Sequence, residues 1–125
     1  MAETAPCYAL SFSAREAIET ERVPDTIADC VACRVPAQES RGVILDGVSR
    51  VLSVTEAEIR VAMKRALGDT HQMAEGGGAL PIAAVLMDIA DDPAGFEVKC
   101  VVVILTGGIV DQVLLCRVIA SQDLK

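Results

Sequence analysis

The sequence predicts one α/β domain, with a partial parallel sheet and flanking helices. Three observations predict it. The strand predicted over residues 99–105 contains a continuous, mostly β-branched apolar run at residues 100–105, as buried parallel strands usually do. Residues 56–67 place apolar side chains at helical spacing. Glycine-rich turns separate the apolar segments and precede the second and third predicted helices.

Composition narrows the class of protein. The 125 residues are 52% hydrophobic with a mean hydropathy of +0.43, so most of the chain is expected to be ordered around a core. Only 2% are aromatic, which makes that core aliphatic. The net charge of −7 and the dispersed acidic residues argue against nucleic-acid binding. No apolar run approaches the roughly 20 residues of a membrane span. The odd number of cysteines, five, indicates reduced thiols in a cytoplasm.

The first half of the chain is weakly patterned. Residues 8–19 have helix-compatible spacing, which Pro24 interrupts. A short apolar segment then ends at Pro36. Residues 38–47 could form a short helix or a loop, and residues 48–54 are predicted as a strand.

The second half carries stronger signals. Thr55 and Glu58 form a capping box at the start of a helix that is expected to end at Gly68. A second helix is predicted over residues 79–89, with Pro81 in its first turn. The strand at residues 99–105 follows, and then a helix over residues 109–121.

Two glycine turns are candidate ligand contacts. Glu75-Gly76-Gly77-Gly78 and Thr106-Gly107-Gly108 stand at predicted strand-to-helix junctions, where ligands of parallel sheets collect. Neither fits a dinucleotide fingerprint or a phosphate loop, and a plain tight turn explains both as well. The Cys30 and Cys33 pair lacks a second pair of zinc ligands, which favours buried, inert thiols. His71 is expected in a solvated turn.

Five short motifs occur in an order that carries a family resemblance. They are Thr26-Ile27-Ala28-Asp29, Asp46-Gly47-Val48, Val54-Thr55-Glu56-Ala57-Glu58-Ile59, Ala74-Glu75-Gly76-Gly77-Gly78-Ala79 and Val102-Val103-Ile104-Leu105-Thr106-Gly107-Gly108. Together they resemble the carboxyl-terminal part of the threonine dehydratase and serine racemase family. These are pyridoxal-phosphate (PLP) enzymes of the tryptophan-synthase-β fold type, also called fold type II.

The resemblance implies a set of cofactor contacts. Thr106 stands where the family has a serine whose hydroxyl meets the pyridine nitrogen of PLP, and Glu75 where it has a glutamate near the ring. Gly107 and Gly108 would let the backbone pass the ring edge. Cys30 replaces a glycine that lies close to the cofactor. The implied reaction eliminates the β-hydroxyl of an amino acid such as threonine or serine and yields a 2-oxo acid and ammonia.

Several departures limit what the chain is expected to do alone. Ile109 replaces the family's asparagine, and no partners for Glu3 stand at the offsets of the family's divalent-cation site, so no metal is expected. The family's Schiff-base lysine and its four-glycine phosphate loop lie upstream of the matching region. Residues 1–125 are therefore interpreted as a single carboxyl-terminal fragment of the PLP enzyme's large domain, inactive by itself and with no catalytic residue of its own. It is expected to self-associate or to bind the missing amino-terminal part. The alternative is a non-catalytic binding or assembly domain derived from the same fold.

Overall fold

The computed structural model describes residues 1–121, and these are mostly helical. They form five α-helices and two short 3₁₀ turns, the latter at Asp29–Val31 and Ala94–Phe96. The α-helices are α1 (Cys7–Ala14), α2 (Gln38–Gly47), α3 (Glu56–Thr70), α4 (Gly76–Asp91) and α5 (Gln112–Ala120).

The capping box of α3 is confirmed. The Glu58 amide donates to the Thr55 hydroxyl at 3.3 Å, and the Glu58 carboxylate accepts from the Thr55 amide at 2.6 Å. The predicted end at Gly68 is wrong, because α3 continues to Thr70. Gly68 has no positive φ, and the left-handed cap falls instead on the exposed residue His71, with φ 57°.

Helices α3 and α4 pack against each other and form the centre of the core. Small side chains on both helices allow a close approach, with Ala62 and Ala66 on α3 facing the same cluster as Ala79 and Ala83 on α4. Ile59 and Met63 supply the largest buried side chains of α3. Val118 adds the buried contact of α5. The core is aliphatic, as the composition predicts.

Helix α4 begins three residues before its predicted start. Gly76, Gly77 and Gly78 are all buried and helical, so Pro81 lies inside α4 and not in its first turn. Proline has no amide hydrogen to donate to the carbonyl four residues earlier, which leaves the Gly77 carbonyl without its helical donor. Residues 38–47, which the sequence left open between helix and loop, form α2. Helix α5 begins at Gln112 because Asp111 caps it by accepting from the Leu114 amide at 2.8 Å.

The expected partial parallel sheet is absent from residues 1–121. The β contact there is an isolated parallel bridge between Ala2 and Val54, so residues 48–54 do not form a strand. Residues 99–105 are not a strand either. A strand is defined by its hydrogen-bonded neighbour, and within residues 1–121 none lies beside this apolar run.

The side chains of residues 102–105 still alternate between exposed and packed, as they do in a strand that lies on a core. Val102 and Ile104 are 84% and 69% exposed, whereas Val103 and Leu105 are 36% and 37% exposed. Val103 and Leu105 line a groove of about 410 Å³ together with Ile82 of α4. Within the described part of the chain, the backbone of residues 100–106 makes no hydrogen bond. Its polar groups are therefore available to a partner.

Candidate functional site at the start of helix α4

The two glycine turns meet at the start of α4. Glu75 is the N-cap residue, and its amide donates to the Gly107 carbonyl at 3.0 Å. A Cβ atom on Gly78 would lie 2.5 Å from that same carbonyl oxygen, so only glycine permits this approach. Thr106 is exposed directly beside the junction. The structure thus brings Gly107, the residue after Thr106, against Glu75.

The carboxylate of Glu75 lies against the Gly107 backbone. A Cβ atom on Gly107 would come within 2.5 Å of the Glu75 carboxyl carbon. The Glu75 side chain makes no capping hydrogen bond to its own helix. It is therefore held by its neighbours across the junction and is half-buried.

Cys30 approaches the same place from the 3₁₀ turn Asp29–Val31. Its sulfur occupies the position that a Cβ atom on Gly77 would need. Partial burial raises the pKa of the Cys30 thiol, and a hydrogen bond to Glu75, the charge of Glu75 and the charge of Asp29 raise it further. The prediction of buried thiols is wrong for this pair, because Cys30 and Cys33 are both exposed. The next residue of this surface turn, Val31, is 42% exposed as well.

Glu56 is a positioning residue that the sequence reasoning missed. One of its carboxylate oxygens accepts from the Ile27 amide at 3.0 Å, and its other oxygen is buried without a partner among residues 1–121. The Thr26 hydroxyl accepts from the Ala28 amide at 3.1 Å, which folds the adjoining turn. No signal in the sequence marks this role. Glu56 lies in the first turn of α3, directly after the Thr55 cap, and an acidic side chain at such a position is ordinarily solvated.

A cavity of about 300 Å³ opens beside Glu75 and Gly76, whereas Thr106, Gly107, Gly108 and Cys30 are not among its lining residues. It is strongly acidic, with Asp29, Glu75 and Asp111 on its wall. Such a wall attracts cations and repels a phosphate group. The full lining is Thr26, Ile27, Asp29, Glu75, Gly76, Ile109, Val110, Asp111 and Leu114.

The two lysines among residues 1–121 make their contacts away from this cavity. The Lys64 ammonium donates to the Ser121 carbonyl, and the Lys99 ammonium lies 5.4 Å from the centre of the Phe96 ring. Neither lines the cavity, and Lys125 falls outside the described residues. Residues 1–121 also contain no group of three side chains that could hold a metal ion. None of their helices is long and apolar enough to cross a membrane.

Comparison with known proteins shows which family this chain is related to. The catabolic L-threonine dehydratase of Staphylococcus aureus strain USA300 is 39% identical over 101 residues, which is 81% of this chain. This chain is homologous to part of the threonine dehydratases. The match covers 29% of the length of the S. aureus enzyme, so the chain spans less than a third of that relative. No protein-family model matches this dehydratase homologue.

Solved structures agree with the sequence match. Maize serine racemase superposes with a TM-score of 0.77 at 28% identity, over 92% of this dehydratase homologue and 35% of the racemase. A pyridoxal 5′-phosphate-dependent aspartate racemase superposes with a TM-score of 0.72 at 25% identity, over 88% and 34% of the two chains. The resemblance to the carboxyl-terminal part of the threonine dehydratase and serine racemase family is therefore confirmed. The individual roles of Thr106, Gly107, Gly108, Glu75 and Cys30 stay predictions.

Proposed function

We propose that this chain supplies the ring-facing wall of the PLP site in an amino-acid dehydratase or ammonia-lyase. The complete enzyme would convert a hydroxy-amino acid such as threonine or serine into a 2-oxo acid and ammonia. One observation carries the proposal. Gly107, the residue after Thr106, meets Glu75 at the start of α4 in a chain that is 39% identical to a threonine dehydratase.

The residues present fit one side of the cofactor. The exposed Thr106 hydroxyl can donate to a neutral ring nitrogen, and the bare backbone at Gly107 allows a flat ring to approach closely. The acidic cavity does not suit the phosphate group, and neither Lys64 nor Lys99 is placed to bind the cofactor covalently. Those two tasks are assigned to the part of the relatives that this chain does not match.

The chemistry follows from the type of contact at the ring. PLP, when bound, withdraws electrons from the amino acid's Cα so that the α-proton and the β-hydroxyl can leave. Thr106 orients the ring through its nitrogen but does not keep that nitrogen protonated, as a carboxylate would. A weaker electron sink suits an elimination, in which the β-hydroxyl leaves soon after the α-proton. Glu75, which the family resemblance assigns to the ring, would place a negative charge beside it.

We assign the docking of the missing part to residues 98–106. Val98, Val102 and Ile104 are exposed apolar side chains, and the backbone of residues 100–106 has free hydrogen-bonding groups within the described part. Such an edge pairs readily with another strand, either from the unmatched part of a dehydratase or from a second copy of this chain. The five free cysteines fit a reducing cytoplasm.

A non-catalytic binding or assembly domain is the second candidate. The departures at Cys30 and Ile109 from the family's glycine and asparagine favour it, because a pocket that no longer binds a cofactor would tolerate both changes. A complementation experiment separates the two candidates. The S. aureus dehydratase would be produced without its matching 101 residues and mixed with this chain, PLP and threonine.

The proposed function predicts that only the mixture releases ammonia and a 2-oxo acid. This chain incubated alone with PLP should show no stoichiometric lysine adduct in a mass spectrum. A complex that binds PLP but releases no ammonia would favour the assembly domain. A saturable adduct on one lysine of the isolated chain would overturn the assignment of the covalent anchor to the unmatched part.

A further inference from the structure

The turn at residues 26–29 is held by two helices at once. The Ile27 amide donates to Glu56 Oε2, in the first turn of α3, at 3.0 Å and across 29 positions of the sequence. The peptide group between Ile27 and Ala28 lies against the start of α4. A Cβ atom on Gly76 would come within 2.2 Å of the Ile27 carbonyl oxygen and 2.9 Å of the Ala28 nitrogen, so only glycine lets the turn lie this close to α4.

We propose that Glu56 fixes the position of residues 26–29 through the Ile27 amide, and that this placement is required for tight binding of PLP. The turn forms one wall of the acidic cavity, to which it contributes Thr26, Ile27 and Asp29. Glu56 does not line that cavity, so it acts on the wall from behind. The inference rests on the proposed function in placing this turn, which leads into Cys30, beside the cofactor.

The burial of Glu56 supports a role beyond the helix start. An acid in the first turn of a helix is stabilised by the helix dipole while it stays solvated. Glu56 Oε1 is nevertheless buried, without a partner among residues 1–121. Glu58, in the same turn, shows the ordinary arrangement, because its carboxylate accepts from the amide and the hydroxyl of the nearby Thr55. Glu56 instead holds a segment that is distant in sequence.

The other contacts of the turn do not fix its direction. Ala28 is fully buried and Ile27 packs against the core, but apolar packing is not directional. The Thr26 hydroxyl accepts from the Ala28 amide, a contact that lies within the turn itself. The hydrogen bond to Glu56 is directional and joins the turn to α3, and the Ile27 amide has no second acceptor among residues 1–121. Without it, the turn is free to move away from Gly76.

Hydrogen exchange of individual amides, followed by NMR on the isolated chain, tests the contact without the cofactor. Glu56→Ala removes the acceptor, and the Ile27 amide should then exchange roughly tenfold faster, as expected when a hydrogen bond to a charged group is lost. Glu56→Gln keeps an acceptor oxygen at the same place. It should return the rate of Ile27 exchange to within about threefold of the wild-type value, since a neutral acceptor is somewhat weaker.

Glu58→Ala is the matched control. It removes the same side chain from the same turn of α3, but its carboxylate accepts from Thr55 and not from Ile27. The Thr55 amide should exchange faster in this variant, while the Ile27 amide keeps its wild-type rate. An unchanged Ile27 rate in Glu56→Ala would overturn the inference. An equal acceleration of Ile27 in Glu58→Ala would also overturn it, because a general loss of stability would then explain both results.

The consequence for PLP is measured in the S. aureus dehydratase with its matching 101 residues replaced by those of this chain. Glu56→Ala should raise the dissociation constant of PLP, followed by fluorescence, about fivefold or more, because the wall is no longer preorganised. Glu56→Gln and Glu58→Ala should bind PLP as the parent chimaera does. A Glu56→Ala chimaera with the parent's affinity would overturn the role of Glu56 in the site. A parent chimaera that binds no PLP would instead contradict the proposed function, and the exchange rates would still decide whether Glu56 holds the turn.

Discussion

Replacing Gly78 by alanine tests the junction between the two glycine turns most sharply. The added Cβ atom would lie 2.5 Å from the Gly107 carbonyl oxygen and 2.9 Å from the Gly107 nitrogen. Both are backbone atoms, so the strain cannot be relieved by rotating a side chain. The turn that carries Thr106 must move away from α4, and the hydrogen bond from Glu75 to Gly107 must lengthen or break.

The expected cost can be worked from these contacts. Overpacking of this kind costs about 1–3 kcal/mol. Losing the Glu75–Gly107 hydrogen bond adds about 0.5–1.5 kcal/mol. Alanine recovers up to about 1 kcal/mol over glycine inside a helix. The free energy of unfolding of Gly78→Ala should therefore fall by about 1–3 kcal/mol overall.

Gly68→Ala is the matched control. Gly68 also lies inside a helix, but a Cβ atom there would meet nothing within 4 Å. This variant should gain about 0.5–1 kcal/mol from helix propensity and the stiffer unfolded chain. The melting temperatures of the two variants should differ by about 6–16 °C, at roughly 4 °C per kcal/mol for a chain of this length.

Thermal unfolding followed by circular dichroism, with urea unfolding as a second measure, gives both values. If Gly78→Ala proved as stable as Gly68→Ala, the close approach of α4 to Gly107 would be refuted. The contact between Gly107 and Glu75 would then be refuted with it.

Two further predictions concern the helix cap and the exposed edge. Thr55→Ala should lower the free energy of unfolding by about 1 kcal/mol, because the Glu58 amide loses its acceptor, while Thr55→Ser should retain most of it; equal stabilities in urea would contradict the capping box. Light scattering of the isolated chain should show self-association that the double variant Val102→Lys, Ile104→Lys reduces, since charges on an edge oppose strand pairing; a wild-type chain that is monomeric at high concentration would contradict the docking surface.

The sequence predicted the features that depend on neighbouring residues. The capping box of α3 and the aliphatic core are local or compositional signals, and both are found as predicted. The ends of the helices depend less on neighbouring residues alone. Gly68 is a good stop signal by residue type, but α3 runs past it and ends where His71 takes the left-handed conformation. Pro81 gave a similar error, because the glycines before it turned out to be helical.

The parallel sheet could not be verified from the residues alone, because a strand exists only when a second strand pairs with it. Residues 99–105 have the composition of a buried strand and keep one face on α3 and α4, yet no strand pairs with them among residues 1–121. The candidate site could be predicted only in part. The resemblance indicated Glu75 and Thr106 as members of one site, but Glu56 and the seat of Cys30 on Gly77 depend on contacts between residues far apart in the chain.

The central claim is that Thr106 contacts the ring of PLP in a complete dehydratase. The most direct measurement exchanges the matching 101 residues of the S. aureus enzyme for those of this chain and compares Thr106→Ala with Thr106→Ser. We expect the parent chimaera and the serine variant to turn threonine over at similar rates. The alanine variant should retain its PLP, measured by absorbance, but lose about tenfold or more in kcat, as expected when about 1.4 kcal/mol of transition-state stabilisation is removed. An alanine variant with unchanged kcat and full PLP content would contradict the claim.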